Sequence, residues 1–243
     1  MTNGLYLYCI AGTQDTEKLG NIGLYEKPVH TISFKDIGAV VSAIPFKEIQ
    51  PNVNEINWHQ RVVEASRENW ATLPVRFGTI FKSDDSLRKY LAKSYKDLRS
   101  KITKFKNKDE YGVKVIFDKD DLSKLNLNME DNEEIKKIKE ELVNAGEGTS
   151  YFLKLRMNEA IQSQILRKID EITGEIHRQF SKSADSNCTI RSDLPQIVLN
   201  SSYLVDRSKK ETFDSHMKKI KEQYTQYGMV IHVSGPWAPY SFC

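Results

Sequence analysis

The sequence predicts an α+β protein of two domains, with a ferredoxin-like (split βαβ) second domain and a C-terminal aromatic tail. The chain has 243 residues, whereas single domains most commonly have about 100 to 150. Apolar strand-like runs alternate with amphipathic helical patterns in both halves of the chain. The expected boundaries are 1–108 for the N-terminal domain, 109–233 for the C-terminal domain and 234–243 for the tail.

The N-terminal domain begins with strand patterns. Residues 4–12 form an apolar run that ends in glycine, and the polar residues that follow, 13–23, are typical of a loop. Residues 30–34 and 38–44 flank a short polar connection, as the two strands of a hairpin do. Residues 72–81 are also expected to be extended, because they contain a proline and alternating β-branched residues.

Two helices are expected in the N-terminal domain. The first has Asn54 as a candidate N-cap and apolar positions at helical spacing as far as Trp70. The second begins after Ser83, where two aspartates stand at the positive end of the helix dipole. From Leu87 to Phe105 its apolar residues recur every three or four positions. We expect these helices to cover one face of the sheet.

The second half of the chain contains the order strand, helices, strand, strand, helix, strand. This is the split βαβ order of ferredoxin-like folds. The predicted elements are a strand at 110–118, helices at 131–145 and 151–180, strands at 189–194 and 196–207, a helix around 213–227 and a strand at 228–236.

Composition excludes several classes of protein. The chain is 39% hydrophobic and 28% charged, with a net charge of +3, as is usual for a globular protein. Its longest apolar runs, such as 37–44, are far shorter than the roughly 20 residues that cross a membrane, so no membrane partner is expected. Cys9, Cys188 and Cys243 are widely spaced and odd in number. They predict a reducing cytoplasm and argue against a disulfide framework or a zinc site.

The sequence shows no constellation typical of catalysis. It lacks a glycine-rich phosphate loop, paired histidines and a nucleophile turn. Asp118, Asp120 and Asp121 lack the glycine and the distal glutamate of a calcium loop, so they favour a turn. We therefore expect no enzyme activity, no cofactor and no metal. A small-molecule enzyme is the weakest alternative, and its ligand would lie beside His59 or His232.

The final segment, SGPWAPYSFC, raises a separate question. It holds Trp237, Tyr240 and Phe242 together with two prolines, whereas most chains end in a poorly ordered tail. Either the segment folds back as an internal strap that holds the domains, or it contacts a partner. Aromatic residues beside prolines lose little chain entropy when they become fixed, which favours the strap.

Three segments together resemble one protein family. They are 59–87, which includes LPVRFG, then 110–118, and then 202–207 followed after a helix by 234–242. In this combination the chain is similar to the gas vesicle proteins of the GvpF/GvpL family over essentially its whole length. Ala238 departs from the pattern, because the family commonly has a proline there.

The resemblance implies an accessory or minor structural protein of gas vesicle assembly, located in the cytoplasm and at the gas vesicle. Its implied partners are the hydrophobic major shell protein and other gas vesicle accessory proteins. An exposed aromatic surface would suit such an apolar partner. The candidate contact residues are Arg76 and Phe77 in LPVRFG, with Trp237, Tyr240 and Phe242 in the tail.

The alternative function is that of a nucleic-acid-binding ferredoxin-like module. Its candidate surface is the basic outer face of the second helix, with Lys93, Lys96 and Arg99. The predicted strands lack the interleaved aromatic and basic residues of an RNA-recognition sheet. We therefore expect no nucleic-acid partner.

Overall fold

The structure is a computed structural model that describes residues 3–117, 122–125, 127 and 132–243. The predicted turn at Asp118, Asp120 and Asp121 lies outside the described residues. The chain divides into two compact units. The domain boundaries expected from the sequence, 1–108, 109–233 and 234–243, remain a prediction. The first unit consists of Met1–Tyr111, Leu204–Lys209 and Ser234–Cys243, and the second consists of Gly112–Tyr203 and Lys210–Val233.

The first sheet lies in the first unit. Its order is β2-β3-β4-β1-β5, and β6 also pairs with β1. The run at 4–12 and the hairpin are confirmed as strands, but the predicted loop at 13–23 contains a short strand, and residues 72–81 form two short strands. The strands are β1 (Asn3–Ala11), β2 (Lys18–Gly20), β3 (Val29–Phe34), β4 (Ile37–Pro45), β5 (Thr72–Pro74) and β6 (Ile80–Phe81).

Two helices of the first unit begin at side-chain caps. Helix α1 (Val53–Asn69) is capped by Asn52, whose side-chain oxygen accepts hydrogen bonds from the next helical N–H groups at 2.9 and 3.3 Å. The prediction that Asn54 caps this helix is therefore wrong by two residues. Helix α2 (Asp84–Phe105) begins at Ser83 as predicted, with reciprocal bonds between Ser83 and Ser86.

The expectation that both helices cover one face of the sheet is wrong. Tyr6 of β1 belongs to a buried cluster that contains Val62 of α1, while the next residue, Leu7, belongs to the cluster of Leu91 in α2. Successive side chains of a strand point to opposite faces, so the two helices cover opposite faces. Strands buried on both faces have nearly continuous apolar sequences, and β1 is such a strand.

The remaining strands form a second sheet of order β10-β7-β9-β8. The strands predicted at 196–207 and 228–236 are confirmed. The strand predicted at 189–194 is wrong, because the observed one ends where the prediction begins. The elements are β7 (Lys108–Phe117), α3 (Glu133–Val143), α4 (Glu147–Lys182), β8 (Ser186–Thr189), β9 (Ile197–Asp206), α5 (Lys210–Thr225) and β10 (Met229–Trp237).

Helices α3, α4 and α5 surround apolar clusters of the second unit. The prediction of two separate helices here is confirmed, since α3 ends at Val143 and Gly146 is the N-cap residue of α4. The first half of α4 packs on α3, where Leu153 contributes to a small buried cluster. In its second half, the Phe180 ring lies 5.3 Å from Tyr203 of β9 and 5.9 Å from Phe213 of α5, measured between ring centroids.

Candidate protein-interaction site

The turn between β5 and β6 presents Arg76 at the surface of the first unit. Arg76 is exposed, and its guanidinium forms no ion pair with the residues that the structure describes. Its carbonyl oxygen accepts a hydrogen bond from the Thr79 hydroxyl at 2.7 Å. Gly78 has a φ of +86°, a left-handed conformation that glycine adopts at little cost. The turn therefore presents, in a defined backbone conformation, a cation that has no ion-pair partner among the described residues.

Phe77 connects this turn to the buried core. Its ring makes edge contacts with Tyr6 and His59, at centroid distances of 6.1 and 5.7 Å. The Tyr6 hydroxyl accepts a hydrogen bond from the Gly78 N–H at 3.1 Å and is hydrogen-bonded to His59 Nδ1 at 2.8 Å. Burial lowers the pKa of His59 to about 4, so this histidine is neutral at pH 7. Phe77 and Gly78 of the turn are thus held by contacts with two buried, uncharged side chains, Tyr6 and His59.

The predicted tail is hydrogen-bonded to two glutamates of the first unit. The Ala238 N–H donates to Glu64 Oε1 at 3.3 Å. The Ser241 N–H and hydroxyl both donate to the carboxylate of Glu110, at 2.8 and 2.5 Å. Glu110 is 6% exposed and Ala238 is fully buried. These contacts anchor the tail within the first unit, whereas a strap between domains stays a prediction.

The three aromatic residues at the end of the chain differ in exposure. Trp237, the last residue of β10, is 43% exposed, and Tyr240 is 39% exposed. Phe242 is half-buried and packs against the buried cluster on the α2 side of the sheet. Burial raises the pKa of the Tyr240 phenol, and the nearby Cys9 thiol and Glu64 carboxyl raise it further. Phe242 is therefore an internal anchor, while Trp237 and Tyr240 leave aromatic surface available.

A charge network holds Glu64 in position below the tail. Arg67 donates to Glu64 and to Asp109, each at 2.6 Å. Arg207 contacts the same Asp109 oxygen at 3.0 Å and also donates to the Arg67 carbonyl oxygen. The Asp109 side chain is only 8% exposed. Two arginines therefore surround one buried carboxylate.

Two cavities of the first unit meet at Arg76. The first, here called cavity A, has a volume of about 480 Å³ and is lined by β5 and the residues after it, by α2 and by Tyr240. The second, cavity B, has about 540 Å³ and is lined by Phe77 and Ile49. Both include Arg76 in their walls. Three predicted contact residues thus adjoin one region, and Trp237 and Phe242 line neither cavity.

Sequence reasoning did not identify the helical wall of cavity A. Tyr90 and Lys101 of α2 line it, but both stand beside the buried stripe that marks the helix in the sequence. Glu64 and Glu110, which hold the tail, were also missed. The tail could have indicated them, because its backbone N–H groups need hydrogen-bond acceptors once they are buried.

Several cations on the basic face of α2 form ion pairs with acidic side chains. Arg99, one of the candidate nucleic-acid contacts, donates to Asp36 at 2.6 Å. Lys93 and Lys96 are exposed. Other cations of this helix lie within an ion-pair distance of an acid on the same helix, namely Arg88 with Asp84, Lys89 with Asp85 and Lys101 with Asp97. These pairs lower the net positive charge that the face presents to a phosphate.

The described part of the chain has no candidate metal-ion cluster and no candidate membrane span. There, no group of three or more His, Cys, Asp or Glu side chains is placed to hold a metal ion. Among the same residues, no helix has the length and apolar character needed to cross a membrane. His59 is buried and His232 is exposed.

The family model described as "Gas vesicle synthesis protein GvpL/GvpF" matches residues 4–243. The chain belongs to this family. It is 28% identical to gas vesicle protein F of Streptomyces sp., covering 98% of each chain. It is 22% identical to gas vesicle protein L1 of Halobacterium salinarum, covering 100% of this chain and 91% of that protein. The resemblance seen in the sequence is confirmed, and the family has its role in gas vesicle assembly.

Solved structures of this family share the fold. The crystal structure of GvpF from Anabaena sp. PCC7120 matches with a TM-score of 0.83 at 20% identity, over 99% of this chain and 98% of that one. GvpF from Microcystis aeruginosa matches with a TM-score of 0.77 at 20% identity, over 98% of both. The predicted mixture of helices and strands is confirmed, and the strands form two sheets.

Proposed function

We propose that the chain serves gas vesicle assembly by binding the hydrophobic major shell protein and other gas vesicle proteins. It acts as an accessory or minor structural protein and not as an enzyme. Its place of action is the cytoplasm and the gas vesicle. The contact surface contains Arg76, Phe77, Trp237 and Tyr240, and Phe242 holds the tail in place beneath it.

One observation carries this proposal. Arg76 and Tyr240 are far apart in the sequence, yet both line cavity A. Arginine, tyrosine and tryptophan are the residues that most often dominate the energy of a protein interface. Here Arg76 and Tyr240 line one concave surface, and the Arg76 guanidinium has no ion-pair partner among the described residues.

The chemistry of the proposed partner fits this surface. A shell that excludes water must be built from a very apolar protein, whose unassembled form exposes apolar surface. Aromatic residues that remain exposed in a folded protein offer such a partner large contact area at low entropic cost. Trp237 and Tyr240 are 43% and 39% exposed, so they are available for this contact.

We further propose that β7 to β10 with their helices form a ferredoxin-like domain. In chain order these elements are strand, helices, strand, strand, helix, strand, which is the split βαβ sequence. The sheet order β10-β7-β9-β8 places the first and last of these strands side by side. Both features support the proposed topology.

Co-purification tests the proposed function. The tagged chain is expressed together with the gas vesicle proteins of the same cells, and retained proteins are identified by mass spectrometry. We expect retention of the major shell protein, and we expect Arg76→Glu to lower it at least several-fold. Arg61→Glu is the matched control, because Arg61 is also an exposed arginine of the first unit. Absence of all gas vesicle proteins from the wild-type eluate would refute the proposal.

A further inference from the structure

Strand β5 is the end of the first sheet. Within the described residues it pairs with β1 alone. On the β1 side, the Val75 N–H donates to the Tyr8 carbonyl at 3.0 Å, and the Gly12 N–H donates to the Ala71 carbonyl at 2.9 Å. In an antiparallel pair, successive residues direct their backbone groups alternately toward and away from the partner strand. The backbone groups of residues 72, 74 and 76 are therefore directed outward.

Thr72, Leu73 and Pro74 of β5 are buried, and the outer edge borders cavity A at Pro74 and Arg76. Pro74 has no N–H and presents only its carbonyl oxygen. Arg76 presents its N–H, since its carbonyl already accepts the Thr79 hydroxyl. One acceptor and one donor two residues apart match the spacing along an extended segment. Addition of a strand to a free sheet edge is a common mode of peptide recognition.

The walls of cavity A contain both apolar and polar side chains, and the polar ones include Ser94, Asp97 and Cys243. Leu73 and Val75 contribute one wall, and Leu98 of α2 contributes the facing wall. The cations that line the cavity are Arg76 and Lys101, and Lys101 already pairs with Asp97 at 3.1 Å. Arg76 has no ion-pair partner among the described residues, so its guanidinium can bind a further anion. A carboxylate is its natural partner, because it accepts two parallel N–H bonds.

We propose that cavity A binds an extended segment of a gas vesicle protein that carries apolar residues and a carboxylate. Its backbone pairs with the Pro74 carbonyl and the Arg76 N–H, and its carboxylate binds the Arg76 guanidinium. This inference rests on the proposed function and adds to it the chemistry of the bound segment. A volume of about 480 Å³ lies within the usual range of roughly 300 to 1,000 Å³ for a binding pocket.

Peptide binding tests this inference with the full-length chain. The probes are fluorescein-labelled 15-residue peptides that tile the shell protein and the other gas vesicle proteins, measured by fluorescence anisotropy. We expect the bound peptides to contain Asp or Glu, and replacement by Asn or Gln to weaken binding about 10-fold, as for loss of a charge-assisted hydrogen bond. Arg76→Gln should cause the same loss and Arg61→Gln none.

A double-mutant cycle makes the assignment specific. In Arg76→Gln, replacement of the peptide carboxylate should have no further effect, because the two groups act on one interaction. Hydrogen exchange gives an independent readout, since a bound strand should protect the Arg76 amide. Bound peptides without a carboxylate, absence of peptide binding, or an unprotected Arg76 amide would each overturn the inference. If co-purification persists in those cases, the proposed function stands; if wild-type co-purification fails, the proposed function itself falls.

Discussion

Deletion of Pro236–Cys243 removes the anchored tail from the first unit. The deletion takes away the buried Ala238, the half-buried Phe242 and both hydrogen bonds from Ser241 to Glu110. It leaves a 6% exposed carboxylate without these two donors. We therefore expect the first unit to lose a large part of its stability.

The expected loss follows from these contacts. A hydrogen bond to a charged group contributes about 1.5 to 3 kcal/mol, and a half-buried phenylalanine contributes about 1 kcal/mol. Together the deletion should lower the free energy of unfolding by about 4 to 7 kcal/mol. Whole domains have stabilities of only about 5 to 15 kcal/mol. The shortened chain should thus retain a marginal first unit or none.

Urea unfolding followed by far-UV circular dichroism measures this effect. Ser241→Ala, which keeps the backbone bond, should lower the free energy of unfolding by about 1.5 to 3 kcal/mol. Ser100→Ala is the control, because Ser100 is exposed on α2. A deletion variant that unfolds at the same urea concentration as the full chain would refute the conclusion that the tail is an internal anchor.

Further predictions concern the buried charges and the basic helix. Asp109→Ala should cost about 3 to 5 kcal/mol in urea unfolding, because it leaves two arginines without their buried partner; Asp97→Ala, which breaks an exposed pair, should cost less than about 1 kcal/mol. His59 has a pKa of about 4 in the folded chain and near 6.5 when unfolded. The neutral His59 therefore contributes about 3 kcal/mol to the free energy of unfolding above pH 6.5, and this contribution is lost as the pH falls to 4. In His59→Gln the free energy of unfolding should depend less on pH between 6.5 and 4 than it does in the wild type. Purified chain should not retain RNA at physiological salt, and salt-sensitive retention that a Lys93→Glu, Lys96→Glu variant abolishes would favour the nucleic-acid alternative.

The parts of the fold that depend on local sequence were predicted well. The Ser83 cap and the apolar stripe of α2 could be read directly, because both repeat at fixed spacings within one helix. The position of α1 relative to the sheet was predicted wrongly. The run in β1 is apolar at successive positions, which indicates that both faces of the strand are buried and therefore that a helix lies on each side. The short strand β2 was missed because its three residues are too few to show an alternating pattern.

The candidate site was predicted only in part. The LPVRFG segment led to the prediction that Arg76 and Phe77 are contact residues, and the observed turn presents Arg76 at the surface. The association of Arg76 with Tyr240 and Tyr90 in one cavity arises from tertiary packing across most of the chain. No spacing rule connects positions so distant, and the same is true of the bond between Ser241 and Glu110.

In the proposed function, the surface around Arg76 and Tyr240 contacts other gas vesicle proteins. A photo-crosslinking amino acid placed at Tyr240 tests it directly in cells that make gas vesicles, with Tyr151 as the control, since Tyr151 is an exposed tyrosine of the second unit. We expect a light-dependent crosslink from position 240 to a gas vesicle protein, above all the major shell protein, and none from position 151. Equal crosslinking from both positions, or none from position 240, would contradict it.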